Sequence, residues 1–564
     1  MQDRRSRDAL EVVLRYHEQT KHHFHRFARS LGYMDWANQP DPFRRYAGAE
    51  LVPLPLPDVG DAAASPRYED LYRPGAIASV EPSVASLSRL LECSLSITAW
   101  KQAGTTRWAL RANPSSGNLH PTESYLLIGE VAGLSSGPAL CHYAAKEHAL
   151  ELRARWSGEA FAALLQAFPR GAFLVGFSSV NWRETWKYGE RAFRYCQHDV
   201  GHAIGAVRIA ARMLGWRMLV LDGVADDTLA ALLGIDRAGD FEGAEREHPD
   251  ALAVVWPATP AGSMVPRVPS SLTVDETLMQ QVAWYGKANR LSRDDPLRWE
   301  ILDEVEAATW KPGTQALSVE LRYEPASTPS GPTLPSAAQV IHERRSALAF
   351  DGKSSIAARD FYTMLARVMP HAGREPSERP MPWDALPWQP SIHLALFVHR
   401  IDGLSPGLYV LARDPAKLAW LKQAMYPQYA WAPPAGCPDE LSLFLLEAGD
   451  VRRLASELSC GQDIAGDSAF SLGMIAEFES SLRRHGPWFY RRLYWETGVI
   501  GQVLYLEAQA LGAGATGIGC YFDDPVHEVL GLEDAALQSL YHFTIGGPVE
   551  DPRLTTLPPY GLDH

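Results

Sequence analysis

The chain has 564 residues, 46% of them apolar, with 17 tryptophans and a net charge of −14. That length calls for two to four domains, and the acidic balance, with a pI near 5.7, argues against a nucleic-acid partner. No run of about 18 apolar residues predicts a membrane span, the start MQDRRSRDALEVVLRYHEQ lacks a signal-peptide core, and six cysteines without CxxC spacing predict a reduced, cytoplasmic protein without structural zinc.

Residues 1–67 read as an N-terminal segment, helical to about Arg29 and then proline-rich at 51–57. His17, His22, His23 and His25 cluster here, but no carboxylate or thiolate completes a metal set, and Phe24 and Phe27 favour packing. A first domain is expected over 68–257. A short helix, Ser86–Leu95, precedes the loop Asn113–Glu123, whose Pro, Ser, Gly and Asn content predicts a turn. Within it Ser115, Ser116 and Asn118 gather three polar side chains. Strands follow at Ser124–Gly129, around Tyr143 within Leu140–Leu152, and at Ala172–Ser178, with a helix at Phe161–Phe168. A long helix, Glu184–Met213, and the strands Met218–Leu221 and Leu252–Trp256 close this half.

Residues 258–337 read as a linker with helices, chiefly Asp275–Trp310 with a break at Asp294-Asp295-Pro296. A second domain is expected over 338–564. It opens on Arg344-Arg345-Ser346, whose guanidinium and hydroxyl donors suit a phosphate. The helix Arg359–Val368 and the strand His393–His399 follow. Four glycines, at 512, 514, 517 and 519, then stand within eight residues. A backbone without Cβ atoms can approach a planar or phosphorylated ligand.

The two domains repeat one another. Thr185–Asp236 laid on Leu482–Glu533, without gaps, gives ten identities, among them Gly201/Gly498, Arg194/Arg491 and Asp226/Asp523; chance gives roughly three at ordinary composition. The copies have lost different pieces. Arg217–Asp222 replaces Gly514–Gly519 in the first half, Asp384–Trp388 replaces the Ser-Ser-Gly-Asn loop in the second, and Asp70-Leu71-Tyr72 replaces Arg344–Ser346 in the first.

Arg344-Arg345-Ser346…Phe350-Asp351, Asn113-Pro114-Ser115-Ser116-Gly117-Asn118 and Gly514-Ala515-Thr516-Gly517-Ile518-Gly519 resemble the signatures of the flavin-dependent nitroreductase fold. RANPSSGNLHPTE and Trp186–Arg191 most resemble its SagB-type branch, which includes the azoline dehydrogenases that form thiazoles and oxazoles. The resemblance implies an α+β fold: two nitroreductase-like α/β sandwich domains in tandem, each an antiparallel-rich sheet flanked by helices, forming an intramolecular pseudo-dimer. It implies one FMN site shared between the halves. Pro114, Ser115, Ser116 and Asn118 would reach the flavin from the first half. Arg344, Arg345, Ser346, Ala515, Thr516, Gly517, Ile518, Gly519 and the C-terminal Arg553 would reach it from the second. Leu348 departs from the basic residue the family often carries there. Lys187 and Tyr188 resemble the catalytic Lys-Tyr pair of azoline dehydrogenases, and the nearby ammonium is expected to favour the phenolate as a base. The implied function is an FMN-dependent dehydrogenase or oxidase acting on a peptide-derived azoline or similar small substrate. The alternatives are an NAD(P)H-dependent nitroreductase or quinone reductase, and a flavin- or peptide-binding scaffold without turnover. No metal, nucleic acid or membrane is expected as a partner, and the substrate's identity, the electron partner and pairing beyond the internal pseudo-dimer stay open.

Overall fold

The computed structural model describes residues 2–56, 65–258, 267–274, 276–320 and 335–561. Much of the Pro/Ser/Thr/Gly-rich sequence on either side of the expected linker helix, 259–266 and 326–334, lies outside the described residues. Two antiparallel sheets carry the fold. In the first, strands run in the order Ala149–Arg155, Ala139–Ala144, Thr122–Ile128, Phe173–Ser179, His248–Pro257, Trp216–Val220. In the second the order is Leu443–Ala448, Gly407–Leu411, Ile392–Val398, Phe470–Glu477, Leu537–Gly546, Gly514–Ile518. Position for position these are one plan used twice. The central strands FLVGFSS and FSLGMIAE are buried from end to end, so their sequences show no polar alternation. Among the described residues no helix is long and apolar enough to cross a membrane.

Between the sheets lie two long helices, Ala192–Met213 and Phe489–Ala510, buried along almost their whole length. The repeat spacing carries one onto the other end to end, and likewise Asp226–Leu233 onto Asp523–Leu530. They cross where Gly201 meets Gly498. A Cβ on Gly201 would stand 2.9 Å from the Gly498 Cα, and one on Gly498 would stand 2.7 Å from the Gly201 Cα. Two equivalent buried ion pairs flank the crossing: Arg194 to Asp523 at 2.7 Å and Arg491 to Asp226 at 2.5 Å. Each joins the long helix of one half to the short helix of the other. Reciprocal contacts of this kind are what a two-fold interface requires.

Some elements differ from the sequence-based expectation. The first helix stops at Gln19, not near Arg29. Thr20 Oγ1 donates back to the Tyr16 carbonyl, and the chain then turns so that the His22 N–H donates to Asp523 Oδ2. The helix expected over Glu184–Met213 is interrupted at Gly189, whose φ of 55° breaks the ladder and whose missing side chain admits the Arg29 carbonyl. Within the linker the helical stretches are Glu276–Met279 and Glu300–Ala308, separated by the short strands Ala283–Trp284 and Lys287–Ala288.

That linker helix is not a bare spacer. Residues 299–311 stand to the second half as 10–22 stand to the first. Thr309 Oγ1 donates to the Val305 carbonyl as Thr20 Oγ1 does to Tyr16, each at 2.7 Å. The Lys311 N–H donates to Asp226 Oδ2 at 2.7 Å, as the His22 N–H donates to Asp523 Oδ2 at 2.9 Å. Asp226 and Asp523 donate their own N–H groups back to the Lys311 and His22 carbonyls. The two helices meet through Arg15 and Glu304, 2.6 Å apart.

Overpacking at the crossing is expected to be costly. Gly498→Val should lower stability by about 3 kcal/mol in chemical denaturation, whereas Gly239→Ala, which opens onto free space, should change it little. Asp523, fully buried between Arg191 and Arg194, has its carboxyl held far below the usual range: the two guanidiniums outweigh the opposing effect of burial. A depressed folded-state value means that this stabilisation is complete above the unfolded carboxylate value, about pH 4, and fades as the pH falls further. Asp523→Asn should cost about 3–5 kcal/mol at neutral pH and flatten the acid limb of the stability curve below pH ~4.

Candidate functional site

A cavity of about 700 Å³ opens between the halves. Pro114, Ser115, Ser116 and Asn118 line it from the first half, and Arg344, Arg345, Ser346, Thr516, Gly517, Ile518 and Gly519 from the second. The glycine-rich segment is an edge strand, Gly514–Ile518, and the Arg-Arg-Ser segment lies alongside it. The Ala347 N–H donates to the Ala515 carbonyl and Thr516 Oγ1 donates to the Ala347 carbonyl. Ala515, expected at the cofactor, is not among the lining residues: its carbonyl is taken by Ala347 and its side chain is buried. Tyr505, from the second long helix, ties the two segments together: its hydroxyl accepts the Gly517 N–H at 2.9 Å and lies 3.0 Å from Ser346 Oγ.

One end of the cavity is strongly cationic. Arg344 is buried, its Nε and Nη2 donate to the Ala112 and Arg111 carbonyls, and its Nη1 has no partner. Arg345 donates to Thr98 and to the His342 and Arg344 carbonyls. Among the described residues neither guanidinium has a carboxylate partner. Burial lowers the pKa of both, and the Arg344 charge helps to bring Arg345 down to about 10. Two adjacent unneutralised guanidiniums beside a hydroxyl form an anion site. Further along, the glycines make room for rings. A side chain at Gly517 would collide with the Tyr541 phenol, and one at Gly519 with the Tyr195 ring.

The Ser-Ser-Gly-Asn loop is held in a strained shape, with positive φ at Gly117, Asn118 and His120. Its polar groups hold the loop together as well as facing the cavity. Ser115 Oγ accepts the His120 N–H, Asn118 Nδ2 donates to the Ala109 carbonyl, and Ser116 donates both N–H and Oγ–H to Asp199 Oδ1. Burial raises Asp199 to about 7 against those hydrogen bonds, and its other oxygen has no partner. Glu184 is also buried with both oxygens unpartnered, and burial together with Asp199 pushes its carboxyl well up.

Tyr188 also lines the cavity; Lys187 is not among the lining residues and stands behind it against the Tyr188 ring. A Cβ on Gly117 would stand 2.6 Å from Tyr188 Oη and 3.0 Å from Lys187 Nζ. The expected phenolate is not favoured. Burial, the Glu184 carboxylate and Tyr195 push the Tyr188 phenol well above its ordinary value, and the ammonium, 5.1 Å from the ring centre, does not offset them. Arg553 is not brought to the cavity: its guanidinium points outward, paired at 2.7 Å with Asp551, which does line it. Sequence reasoning missed Tyr195, His202, Tyr505, Tyr541 and Cys520, all lining residues. Tyr195, Asp199 and His202 stand at helical i, i+4, i+7 spacing, which could have marked one functional face. His202 is held neutral, down to about 3, by burial and by Arg344.

The corresponding place in the other half is filled. Arg492, the counterpart of Tyr195, pairs at 2.8 Å with Asp222, the counterpart of Gly519. Its guanidinium lies over Trp488 and Trp495, 4.9 and 4.1 Å from the ring centres. Lys311 lies over the Trp488 ring and donates to the Val224 and Pro312 carbonyls.

A sequence profile of the Nitroreductase family matches residues 82–244 and 411–547, just over half of the chain. The chain belongs to the nitroreductase family, as two such domains in tandem. It is 31% identical over 126 residues to a "putative nitroreductase" of Methanocaldococcus jannaschii, covering 22% of this chain and 63% of that one. It is 30% identical over 135 residues to the trifolitoxin-processing protein TfxB of Rhizobium leguminosarum bv. trifolii, covering 22% of this chain and 36% of that one. In both cases the match spans less than two thirds of the relative's length. The fold is similar to that of a crystallised Anabaena variabilis protein, also described as a nitroreductase, with a TM-score of 0.64 and 23% identity, covering 95% of this chain and 99% of that one.

Proteins of this family generally bind flavin. The unpaired Arg344 Nη1 and the two unneutralised guanidiniums beside Ser346, next to a cavity wall running from Thr516 to Gly519, fit a phosphate joined to a flat ring. Arg344→Gln is therefore expected to act in opposite directions. Removing a buried uncompensated charge should stabilise the flavin-stripped protein by about 1 kcal/mol in urea unfolding. Losing charge-assisted hydrogen bonds should weaken flavin binding at least about tenfold in a fluorescence titration.

Proposed function

We propose that the protein is an FMN-dependent dehydrogenase of the SagB type. It takes a hydride and a proton from a peptide-derived azoline or similar small substrate, leaving a C=C bond or an aromatic azole. The observation that carries this reading is the position of Lys187 and Tyr188 directly against Gly117 of the Ser-Ser-Gly-Asn loop, with Tyr188 and Gly117 lining the shared cavity. The likeness to the trifolitoxin-processing protein supports a substrate made from a modified peptide.

When bound, FMN supplies the two-electron acceptor for the hydride. Arg344 and Arg345 would hold its phosphate, and the cavity wall from Thr516 to Gly519, backed by Tyr195 and Tyr541, would receive its ring. The remaining work is proton handling and belongs to the chain. Tyr188 is a protonated phenol in the folded protein. It accepts the substrate's proton at Oη only as it passes its own on. Lys187 Nζ is the adjacent group, and Asp199, raised to about 7 and with one unfilled carboxyl oxygen, is the buried acceptor behind the pair. Ser116 binds Asp199 and so couples the loop to that reserve.

The test is oxygen consumption by the yellow purified protein with thiazoline- and oxazoline-containing peptides. The double change Lys187→Ala with Tyr188→Phe should lower kcat by about 10²- to 10⁴-fold while leaving flavin content unchanged. Unimpaired turnover would remove the pair from the mechanism. Rapid anaerobic bleaching by NAD(P)H, with no turnover of azolines, would assign the protein to the reductases instead. A colourless protein that reconstitution cannot load with flavin would leave only the scaffold role.

A further inference from the structure

Cys520 follows Gly519 directly and lines the cavity. Its Sγ lies 2.7 Å from Cys460 Sγ and 3.6 Å from His22 Nδ1. Sixty residues of chain separate the two cysteines, which is why no spacing motif announces them. Cys460 sits in the turn after the helix Arg452–Leu458 and has a φ of 57°. A non-glycine residue in the left-handed region costs energy, and here that backbone aims the Cys460 thiol at its partner. Both thiols are half-buried, whereas Cys93, Cys141 and Cys196 are fully enclosed. The counterpart of Cys520 in the first half is Gly223, where the chain 270–271 packs close, so the pair exists only on the side of the open cavity.

The surroundings favour a thiolate on one sulfur. The hydrogen bond from Cys460, with help from His22 and Arg191, outweighs burial and brings Cys520 below the ordinary thiol range, while Cys460 is pushed up and keeps its proton. His22 itself is held towards the neutral form by burial. A half-accessible thiolate beside a thiol able to resolve it has the character of a redox cysteine.

We propose that Cys520 and Cys460 form a redox-active dithiol that reduces a hydroperoxide admitted through the cavity. The Cys520 sulfur attacks the peroxide's terminal oxygen, the O–O bond breaks, and hydroxide or alkoxide leaves, giving a sulfenic acid. The Cys460 sulfur then attacks that sulfur, its proton leaves with the hydroxyl as water, and the S–S bond forms. Two thiols are oxidised by two electrons, and the peroxide is reduced to water, or to an alcohol and water. An external dithiol restores the pair by exchange. This site is independent of the azoline reading, since the peroxide can be supplied from outside.

The experiment treats the reduced, full-length flavoprotein with one equivalent of hydrogen peroxide. Free thiols are counted, and disulfides are mapped by mass spectrometry without reduction. Two of the six thiols should disappear, in a single Cys460–Cys520 disulfide. Cys520→Ser should abolish that loss, and Cys460→Ser should halt at a dimedone-trapped sulfenic acid on Cys520. The half-buried Cys437 is the internal control. Retention of all six thiols, or loss at Cys437 as fast as at Cys520, would overturn the proposal without using any variant. One tightly held zinc per chain, released by Cys460→Ser, would overturn it in favour of a metal site built from the same three residues.

Discussion

The structure depends on one close approach, Gly201 against Gly498, where two long buried helices cross with no side chain between them. Glycine in a helix interior costs roughly 1 kcal/mol relative to alanine. Here that cost brings two backbones into contact and places the reciprocal pairs Arg194–Asp523 and Arg491–Asp226 across the interface. Those pairs are buried, so their net contribution is smaller than their charges suggest; what they supply is register. With the register fixed, the face of the first helix carrying Tyr195, Asp199 and His202 can meet the glycine-rich edge strand of the second half only in one way.

The cavity follows from that register together with an asymmetry of side chains. On one side of the pseudo-two-fold Tyr195 packs on Gly519 and both line the open cavity, while at the equivalent positions on the other side Arg492 pairs with Asp222 and fills the space. The cationic end is unneutralised where a ligand is expected and neutralised where none is. Arg344 has no carboxylate among the described residues, whereas Arg492 has Asp222 at 2.8 Å. The same logic applies to the acids. Asp523 is satisfied by two guanidiniums, while Glu184 and Asp199 are buried with open oxygens beside the Lys187–Tyr188 pair.

Much of the fold was legible because the repeat is ungapped where it matters. The spacing found from ten identities places both long helices and both short ones end to end. The three motifs that pointed to a shared site do line one cavity. What escaped the sequence was long-range. The likeness of Thr20 to Thr309 is too short to register as a repeat, and it became visible only through equivalent backbone contacts with Asp523 and Asp226. No sulfur stands near His22 in sequence because Cys460 and Cys520 lie hundreds of residues away along the chain. The lysine neighbour alone predicts a Tyr188 phenolate, and burial with an acid nearby reverses the sign. Arg553 matches a motif by order, but in the structure it is exposed and paired with Asp551.

Joining two copies in one chain also changes what mutation can do. In an assembly of identical subunits every substitution appears twice, once on each side of the axis, so a residue good for one pocket is imposed on the other. Here one helical position is free to be Tyr195 on one side and Arg492 on the other. Covalent fusion has broken the palindrome. One side can specialise in chemistry while its twin becomes ballast, keeping the scaffold upright without having to hold anything.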